Sequence, residues 1–193
     1  MNKSTNGAVV RALVAILTMG IAVPADAASS SGIAETIDFE GLVKGINHIE
    51  LTDYDGFTWI EAGAVGKRWA LRNGYGADTG FLNDAHGKAV GYTLDQNGIT
   101  DSTFTADSGT FTLKSGYFAS AWMRDGEDVT FTAYRDGEVV ATETVTLTTQ
   151  SSRLKFGKGF AHINTVQITA NSGTDSDSNV VMDNLKVFFD TQN

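Results

Sequence analysis

The chain has 193 residues, no cysteine and a single proline, and its 23 acidic side chains outnumber its 14 basic ones, giving a net charge of −9. An acidic surface repels phosphate groups and anionic lipid headgroups, which argues against nucleic acid or a membrane surface as the partner. Without cysteine there are neither disulfides nor thiol chemistry, so stability must come from the core or from a bound metal.

The first 27 residues form a pattern of their own. Lys3 and Arg11 are basic, residues 12–23 are almost all apolar, and Pro24 precedes the small-residue site Ala-Asp-Ala at 25–27. This order is that of a secretory signal, and the apolar run is shorter than the roughly 20 residues of a permanent membrane anchor. We therefore predict cleavage after residue 27 and a single secreted domain over residues 28–193. The expected location is extracellular, after transit through the periplasm, with no membrane insertion once the signal is removed.

From residue 33 onward, apolar and polar residues alternate, which is the pattern of half-buried β-strands. The clearest strand covers residues 129–134, and a second alternating run at 139–147 follows Asp136-Gly137. Asp-Gly between two such runs predicts a β-hairpin, because glycine accepts the positive φ of the turn. Further strands are predicted at residues 35–40, 48–52, 57–61, 89–94, 110–113, 117–123, 165–170 and 180–189.

This pattern predicts an all-β domain. Many short alternating strands without a helical stripe of ten residues or more indicate an antiparallel β-sandwich of two sheets, and we expect its jelly-roll form. The glycine-rich residues 63–80 and 172–179 are interpreted as surface loops, since strand patterns resume on both sides.

Two motifs mark the ends of the predicted domain. Residues 37–41 read Ile-Asp-Phe-Glu-Gly, and residues 180–187 read Val-Val-Met-Asp-Asn-Leu-Lys-Val. In these motifs the chain resembles the jelly-roll carbohydrate-binding modules. The resemblance implies that the first and last strands lie side by side, and that Glu40 and Asp183 bind a structural calcium ion.

A series of weaker motifs is similar to the extracellular domain of bacterial exported proteins of the PEP-CTERM type. In chain order they are Asp-Phe-Glu at 38–40, Gly-Phe-Thr-Trp at 56–59, Phe-Thr-Leu at 111–113, a small-residue strand ending in Trp122, Asp-Gly at 136–137 and Met-Asp-Asn-Leu at 182–185. The sequence ends at Asn193 without the Pro-Glu-Pro tail of that group. A freely secreted product, not an anchored one, is therefore the expectation.

Calcium is also a candidate from the residue types alone. The ion takes six to eight oxygen ligands, of which Glu40 and Asp183 can supply two. The alternative is that these carboxylates merely close turns at the strand ends. Residues 175–179 copy the first ligand positions of an EF-hand loop, but Val180 and Lys186 do not fit the rest of that loop, so a solvated acidic loop is preferred there. Asp53-x-Asp55 is a weaker candidate.

A sugar site on a β-sandwich needs aromatic faces for the apolar side of pyranose rings, together with planar polar groups for the hydroxyls. Trp59 and Trp122 lie within predicted strands and are expected in the core. Trp69 lies between basic residues and a Gly-Tyr-Gly loop, so it is the preferred exposed platform, although scattered exposed aromatics are common. Other candidates are Tyr117 and Arg68. The predicted ligand-binding residues are Trp69, Arg72, Asn73, Tyr75 and Asn83.

No catalytic motif is recognisable, and the three histidines, His48, His86 and His162, are isolated in sequence. Three functional hypotheses follow. The first is a secreted, non-catalytic module that binds extracellular polysaccharide and holds a structural calcium. The second is a structural or adhesive component of an extracellular matrix or biofilm, without a defined sugar site. The third is a polysaccharide lyase or hydrolase, for which no pair of carboxylates stands out.

Overall fold

A computed structural model describes residues 32–43, 47–76, 78–84, 86–96, 99–122, 126–171 and 178–190. The predicted signal at residues 1–27 lies outside these ranges. Most of the described chain is β-strand. In chain order the elements are β1 (Gly32–Ile37), β2 (His48–Glu50), β3 (Asp53–Tyr54), β4 (Phe57–Ile60), β5 (Ala62–Gly66), α1 (Lys67–Arg72), α2 (Gly80–Asn83), β6 (Ala89–Thr93), β7 (Asp95–Gln96), β8 (Ile99–Ala106), β9 (Phe111–Ser120), β10 (Glu127–Arg135), β11 (Glu138–Leu147), β12 (Ser152–Lys155), a 3₁₀ turn at Lys158–Phe160, β13 (Thr165–Asn171) and β14 (Val180–Asp190).

The strands form two antiparallel sheets of seven strands each. In the first sheet the order is β12-β9-β14-β6-β5-β2, with β1 also paired to β14. In the second sheet the order is β11-β10-β13-β8-β4-β3, with β7 paired to β8. This arrangement confirms the predicted two-sheet antiparallel β-sandwich.

The main core lies between the two sheets and is rich in phenylalanine. Phe57 of the second sheet packs edge-on against Phe111 of the first, with ring centroids 4.8 Å apart, and Phe118 and Phe131 make a similar contact at 4.9 Å. Burial of one such side chain stabilises the fold by about 1.5–3 kcal/mol. Trp59 is only 3% exposed, so the expectation that it belongs to the core is confirmed.

The Asp-Gly hairpin is present as predicted. Asp136 and Gly137 connect β10 to β11 with φ angles of 52° and 83°, as a two-residue turn with left-handed residues requires. Asp55 and Gly56 form an equivalent turn between β3 and β4, with φ angles of 50° and 76°. The sequence analysis treated Asp55 only as a weak calcium candidate, although the Asp-Gly pair signals a turn.

The first strand pairs along its whole length with the second half of the last strand. Gly32 lies opposite Asp190 and Ile37 lies opposite Leu185, in the arrangement that the end motifs implied. On its other side β14 pairs with β9, and the register shifts between Asp183 and Lys186. This irregularity lies within the Asp-Asn part of the closing motif.

The prediction of a surface loop over residues 63–80 was wrong. Its start is β5, which is buried over its whole length, and α1 and α2 follow. β5 shows no alternation because both of its faces are covered, so its small residues looked like loop residues in the sequence. Of the other predicted loop, at 172–179, only residues 178–179 are described, and both are buried. None of the helices in the described ranges is long and apolar enough to cross a bilayer.

Candidate functional site

Glu40 and Asp183 hold the same short segment of backbone, which precedes and enters β6. Glu40 Oε1 accepts hydrogen bonds from the N–H groups of Lys88 (2.6 Å) and Ala89 (3.2 Å). Asp183 Oδ2 accepts one from the N–H of His86 at 2.7 Å. The structure therefore brings together the two residues that were predicted to share a metal, although they are far apart in sequence.

Unusual backbone angles position both carboxylates. Asp38 Oδ1 accepts a hydrogen bond from the N–H of Glu40 at 3.1 Å, which turns the chain through Phe39 at a φ of 59°. Asn184 has a φ of 48° within β14, and its N–H donates to Asp183 Oδ1 at 2.7 Å. Asparagine tolerates this left-handed conformation better than most residues do, which explains its place in the closing motif.

A third carboxylate, Asp84, is fully buried beside this pair. Ser151 Oγ donates a hydrogen bond to Asp84 Oδ1, whereas Asp84 Oδ2 is buried without a hydrogen-bond partner. Burial raises the pKa of Asp84 to about 8, the Ser151 hydrogen bond opposes this rise, and the charge of Asp183 adds to it. Asp84 was not among the predicted metal ligands, because no motif surrounds it. We refer to Glu40, Asp84 and Asp183 as the carboxylate corner.

Asp183 is also deeply buried, at 1% exposure. Burial raises the pKa of its carboxyl, while the N–H groups of His86 and Asn184 oppose the rise and the charge of Glu40 adds to it. His86 Nδ1 lies 2.7 Å from the carbonyl oxygen of Asp84, so this nitrogen carries the proton. The corner thus concentrates negative charge that is only partly compensated by backbone donors.

The donor set of the corner suits a hard cation such as Ca²⁺, which prefers carboxylate and carbonyl oxygens. The unpartnered Asp84 Oδ2 is an oxygen that a cation would satisfy. Among the described residues, however, no three Asp, Glu or His side chains are close enough together to hold a metal. A bound ion would therefore need backbone carbonyl oxygens or water in addition to these carboxylates.

The predicted sugar-binding residues lie around α1, on the outer face of the first sheet. Here Val65, Val90 and Val181 point away from the main core, since their strand neighbours belong to that core. Ala70 of α1 and Phe81 of α2 cover these valines and form a second, smaller hydrophobic cluster. Half-buried residues complete its rim: Trp69, Tyr75, Leu82, Tyr92 and Trp122.

Aromatic rings at this rim contact one another in a continuous row. Tyr75 lies 5.4 Å from Trp69, 4.6 Å from Trp122 and 5.8 Å from Phe81, measured between ring centroids. Trp122 Nε1 donates a hydrogen bond to Asn179 Oδ1 at 2.8 Å, which holds the ring of Trp122 in place at one end of this row. Trp122 was expected in the core, and instead it is half-buried at the edge of this second cluster.

Four of the five predicted ligand-binding residues lie on α1 or just after it. Arg72 and Asn73 are exposed, and Asn73 Nδ2 donates to the carbonyl oxygen of Trp69 at 2.9 Å. Trp69 and Tyr75 are half-buried, with part of each ring open to solvent. We refer to Trp69, Arg72, Asn73 and Tyr75 as the α1 face. Asn83 lies on α2, and its amide nitrogen donates to the carbonyl oxygen of Thr149 at 2.9 Å, so this donor is engaged within the fold.

The histidines that were isolated in sequence have neighbours in space. The ring of His48 lies 5.3 Å from that of Trp69, and the ring of His86 lies 3.9 Å from that of Tyr117. His162 Nδ1 is 2.9 Å from Asp190 Oδ2. These contacts are between distant parts of the chain, so no local pattern could have identified them.

No protein-family model matches this sequence, and no curated protein matches it either. Solved structures do match. A DUF4465 family protein from Bacteroides caccae ATCC 43185 has a TM-score of 0.57 at 11% identity, covering 82% of this chain and 100% of that one. The CBM22-1 xylan-binding domain of Xyn10C from Paenibacillus barcinonensis has a TM-score of 0.48 at 14% identity, with coverages of 86% and 100%. A cyclase from Fischerella sp. TAU has a TM-score of 0.45 at 14% identity, with coverages of 81% and 97%.

At such identities the similarity concerns the fold alone. One fold can host many unrelated functions, so the fold by itself does not select a ligand or an activity. The likeness to PEP-CTERM proteins stays a prediction.

Proposed function

We propose that this chain is an exported, non-catalytic domain that binds extracellular polysaccharide through the α1 face. The observation that carries the proposal is the pair of half-buried rings, Trp69 and Tyr75, beside the exposed side chains of Arg72 and Asn73. An aromatic face can stack on the apolar side of a pyranose ring, while guanidinium and amide groups hydrogen-bond the hydroxyls.

The support beneath the α1 face favours a binding role. Tyr75 contacts Trp122 and Phe81, and Phe81 in turn packs against Tyr92, with ring centroids 5.6 Å apart. Rings that are already fixed lose little conformational freedom when a ligand binds, so more of the contact energy appears as affinity. These rings belong to the second hydrophobic cluster and not to the core between the two sheets, so packing of the sandwich does not account for them.

We expect Trp69→Ala to weaken binding to a recognised polysaccharide by about tenfold, which corresponds to roughly 1.4 kcal/mol. Affinity gel electrophoresis and pull-down on insoluble polysaccharides measure this loss. Tyr134→Ala is the matched control, since Tyr134 is a half-buried aromatic of the second sheet, on β10.

Unchanged binding by the Trp69 variant, or an equal loss in the Tyr134 variant, would contradict the proposed site. The melting temperature shows whether Trp69→Ala disturbs the fold, because Trp69 also contacts Tyr75 and His48. If it does, Trp69→Leu keeps an apolar side chain on α1 while removing the ring, and the same loss of binding is expected.

We also propose that the carboxylate corner binds one calcium ion. The unpartnered buried oxygen of Asp84 and the pairing of β1 with β14 beside Glu40 and Asp183 support this proposal. The role of the ion is structural, because it would compensate the buried negative charge between the first and last strands. The alternative is that Glu40 and Asp183 need no ion, since their hydrogen bonds to the backbone already hold the segment around His86 and Lys88.

We expect calcium to raise the melting temperature at neutral pH and a chelator to lower it, because the ion binds only the folded corner. Differential scanning calorimetry with and without chelator measures the shift. Asp183→Asn should abolish the response to calcium, whereas Asp53→Asn, at an exposed position of β3, should retain it. If calcium does not change the melting temperature of the unchanged protein, the calcium proposal is wrong. The hydrogen bonds of Glu40 and Asp183 to the backbone would then be their whole role.

A matrix-forming role is the second candidate, and one observation favours it. Within the described residues β11 pairs only with β10, so it is an edge strand, although the 3₁₀ turn at Lys158–Phe160 packs against it near Ala141. Val139 and Val140, near the start of this strand, are 56% and 41% exposed. An edge strand with exposed valines suits association with other chains. Self-association without polysaccharide binding would favour this role. Turnover of a polysaccharide would contradict both candidates and indicate a polysaccharide lyase or hydrolase.

A further inference from the structure

A basic pocket lies beside the α1 face in this otherwise acidic protein. It has a volume of about 400 Å³ and is lined by Val43, Gly66, Lys67, Arg68 and Lys88. Arg68 and Lys88 are exposed and Lys67 is half-buried. Within the described parts of the chain, none of these three side chains forms an ion pair with a carboxylate, and the ion pairs found there involve histidine.

The fold brings two of these basic residues together through their backbones. Gly66 pairs with Ala89 at the end of the β5–β6 ladder, and the next hydrogen bond runs from the N–H of Lys67 to the carbonyl oxygen of Lys88 at 2.9 Å. Like charges on neighbouring residues repel each other, and a bound anion offsets this repulsion. The carboxylate of Glu40 lies close by, where it accepts hydrogen bonds from the backbone N–H groups of Lys88 and Ala89. Within the described residues it forms no ion pair with the side chain of Lys67 or Lys88.

We propose that the basic pocket binds a carboxylate or sulfate group of an acidic polysaccharide whose next sugar stacks on Trp69. Arg68 lines the pocket and Trp69 is the next residue of α1, about 100° further round the helix, so the charged pocket and the aromatic platform lie on neighbouring faces of one short helix. An anion bound between Lys67 and Lys88 relieves their repulsion, and the Arg68 guanidinium offers paired donors to its oxygens. This inference rests on the proposed polysaccharide binding and names the class of polysaccharide.

The net negative charge of the chain does not exclude an anionic ligand. At physiological ionic strength, charges further than about 8 Å away are largely screened, so the local cations decide the interaction inside the pocket. Contacts of this kind weaken as salt is added. A neutral sugar held by stacking alone would show little dependence on salt.

The experiment compares the full chain on a uronate polysaccharide, polygalacturonate, a sulfated one, dextran sulfate, and two neutral ones, xylan and dextran, by affinity electrophoresis at low and high salt. We expect at least one of the acidic polymers to bind more tightly than both neutral ones, and salt to weaken that binding. Lys67→Gln combined with Lys88→Gln should weaken it by about tenfold, since one exposed ionic contact gives up to about a factor of five. Arg68→Gln alone should weaken it by a few fold.

Lys155→Gln combined with Lys158→Gln is the control, since both lysines are exposed and lie away from the pocket. It removes the same charge from the protein and should leave binding unchanged. The Lys67 and Lys88 variant should melt at the same temperature or higher, because the repulsion between two neighbouring like charges is gone.

Equal losses in the two double variants would overturn the pocket in favour of a general charge effect. Binding of the neutral polymers in preference to both acidic ones would overturn this inference and leave the proposed polysaccharide binding intact. Absence of binding to any of the polymers would count against both.

Discussion

Asp84 lies in an environment that strongly disfavours an ionised carboxylate. Its carboxyl is fully buried, accepts one hydrogen bond from Ser151 and faces the neighbouring charge of Asp183. A buried carboxylate is stable only with a proton, a cation or several donors. The residue therefore links the stability of the whole domain to pH.

This link gives a prediction for the calcium-free protein. The pKa of Asp84 is about 8 in the fold, against about 3.9 in an unfolded chain. Between these values the folded state holds a proton that the unfolded state releases, so the free energy of unfolding falls as pH rises. Burial raises the pKa of Asp183 as well, and its effect has the same sign.

In chelator, we expect the free energy of unfolding to fall by up to about 1.4 kcal/mol per pH unit for one proton, from about pH 5 to about pH 8. The melting temperature should decrease steadily over the same range. Circular dichroism melts across this range measure it. Asp84→Asn should flatten the profile, and Asp53→Asn, which changes an exposed carboxylate, should not. A profile that is flat in the unchanged protein would show that Asp84 is ionised in the fold.

Residue types could predict part of the candidate site. Glu40 and Asp183 stood out because each belongs to a motif at one end of the domain, and the structure brings them to one segment of backbone. Asp84 and His86 could not be found in this way. They join the corner through contacts that span 97 residues of sequence, such as the hydrogen bond from His86 N–H to Asp183, and only the fold creates them.

At the scale of elements, the alternation of apolar and polar residues is clearest where one face of a strand lies in the core and the other in solvent. β10 is the best case, because Val129, Phe131 and Ala133 are buried and the residues between them are not. β5 and β8 do not show this alternation in their sequences. β5 is covered on both faces, and β8 carries the polar residues Thr100 and Ser102 at buried positions, where they donate hydrogen bonds to backbone carbonyl oxygens.

The element β6 illustrates how closely the first sheet packs on the opening motif. A side-chain carbon at Gly91 would lie 2.5 Å from Phe39 Cζ, so the ring of Phe39 rests directly on the glycine backbone. We expect Gly91→Ala to lower the free energy of unfolding by about 1–3 kcal/mol, because the fully buried ring has little room to move. Urea unfolding monitored by tryptophan fluorescence measures this change.

Gly41→Ala is the control for that substitution. No atom lies within 4 Å of the added carbon at Gly41, so a neutral effect or a stabilisation of up to about 1 kcal/mol is expected. Equal destabilisation by both substitutions would show that the close contact between Phe39 and Gly91 is not the reason for the loss of stability.

For the whole molecule, the sequence was sufficient to predict the class of fold, since alternation and the Asp-Gly turn reflect the two-sheet architecture directly. It was not sufficient to predict the second hydrophobic cluster on the outer face of the first sheet. That cluster joins Val65, Val90 and Val181 from three strands with residues of two short helices, and no periodicity along the chain reports such a combination. The α1 face depends on this cluster for its position.

The pairing of the first and last strands has a mechanical consequence. Because Gly32 lies opposite Asp190, a load applied through the chain on either side of the domain would act on β1 and β14 at the same end of their ladder. The hydrogen bonds between them would then break one after another, as in a zipper, and not all at once as in shear. Glu40 and Asp183 lie towards the other end of this pair, so a calcium ion there would bear tension only after most of the zipper had opened. With the proposed calcium ion bound, the domain would yield easily to pulling at first and resist it late.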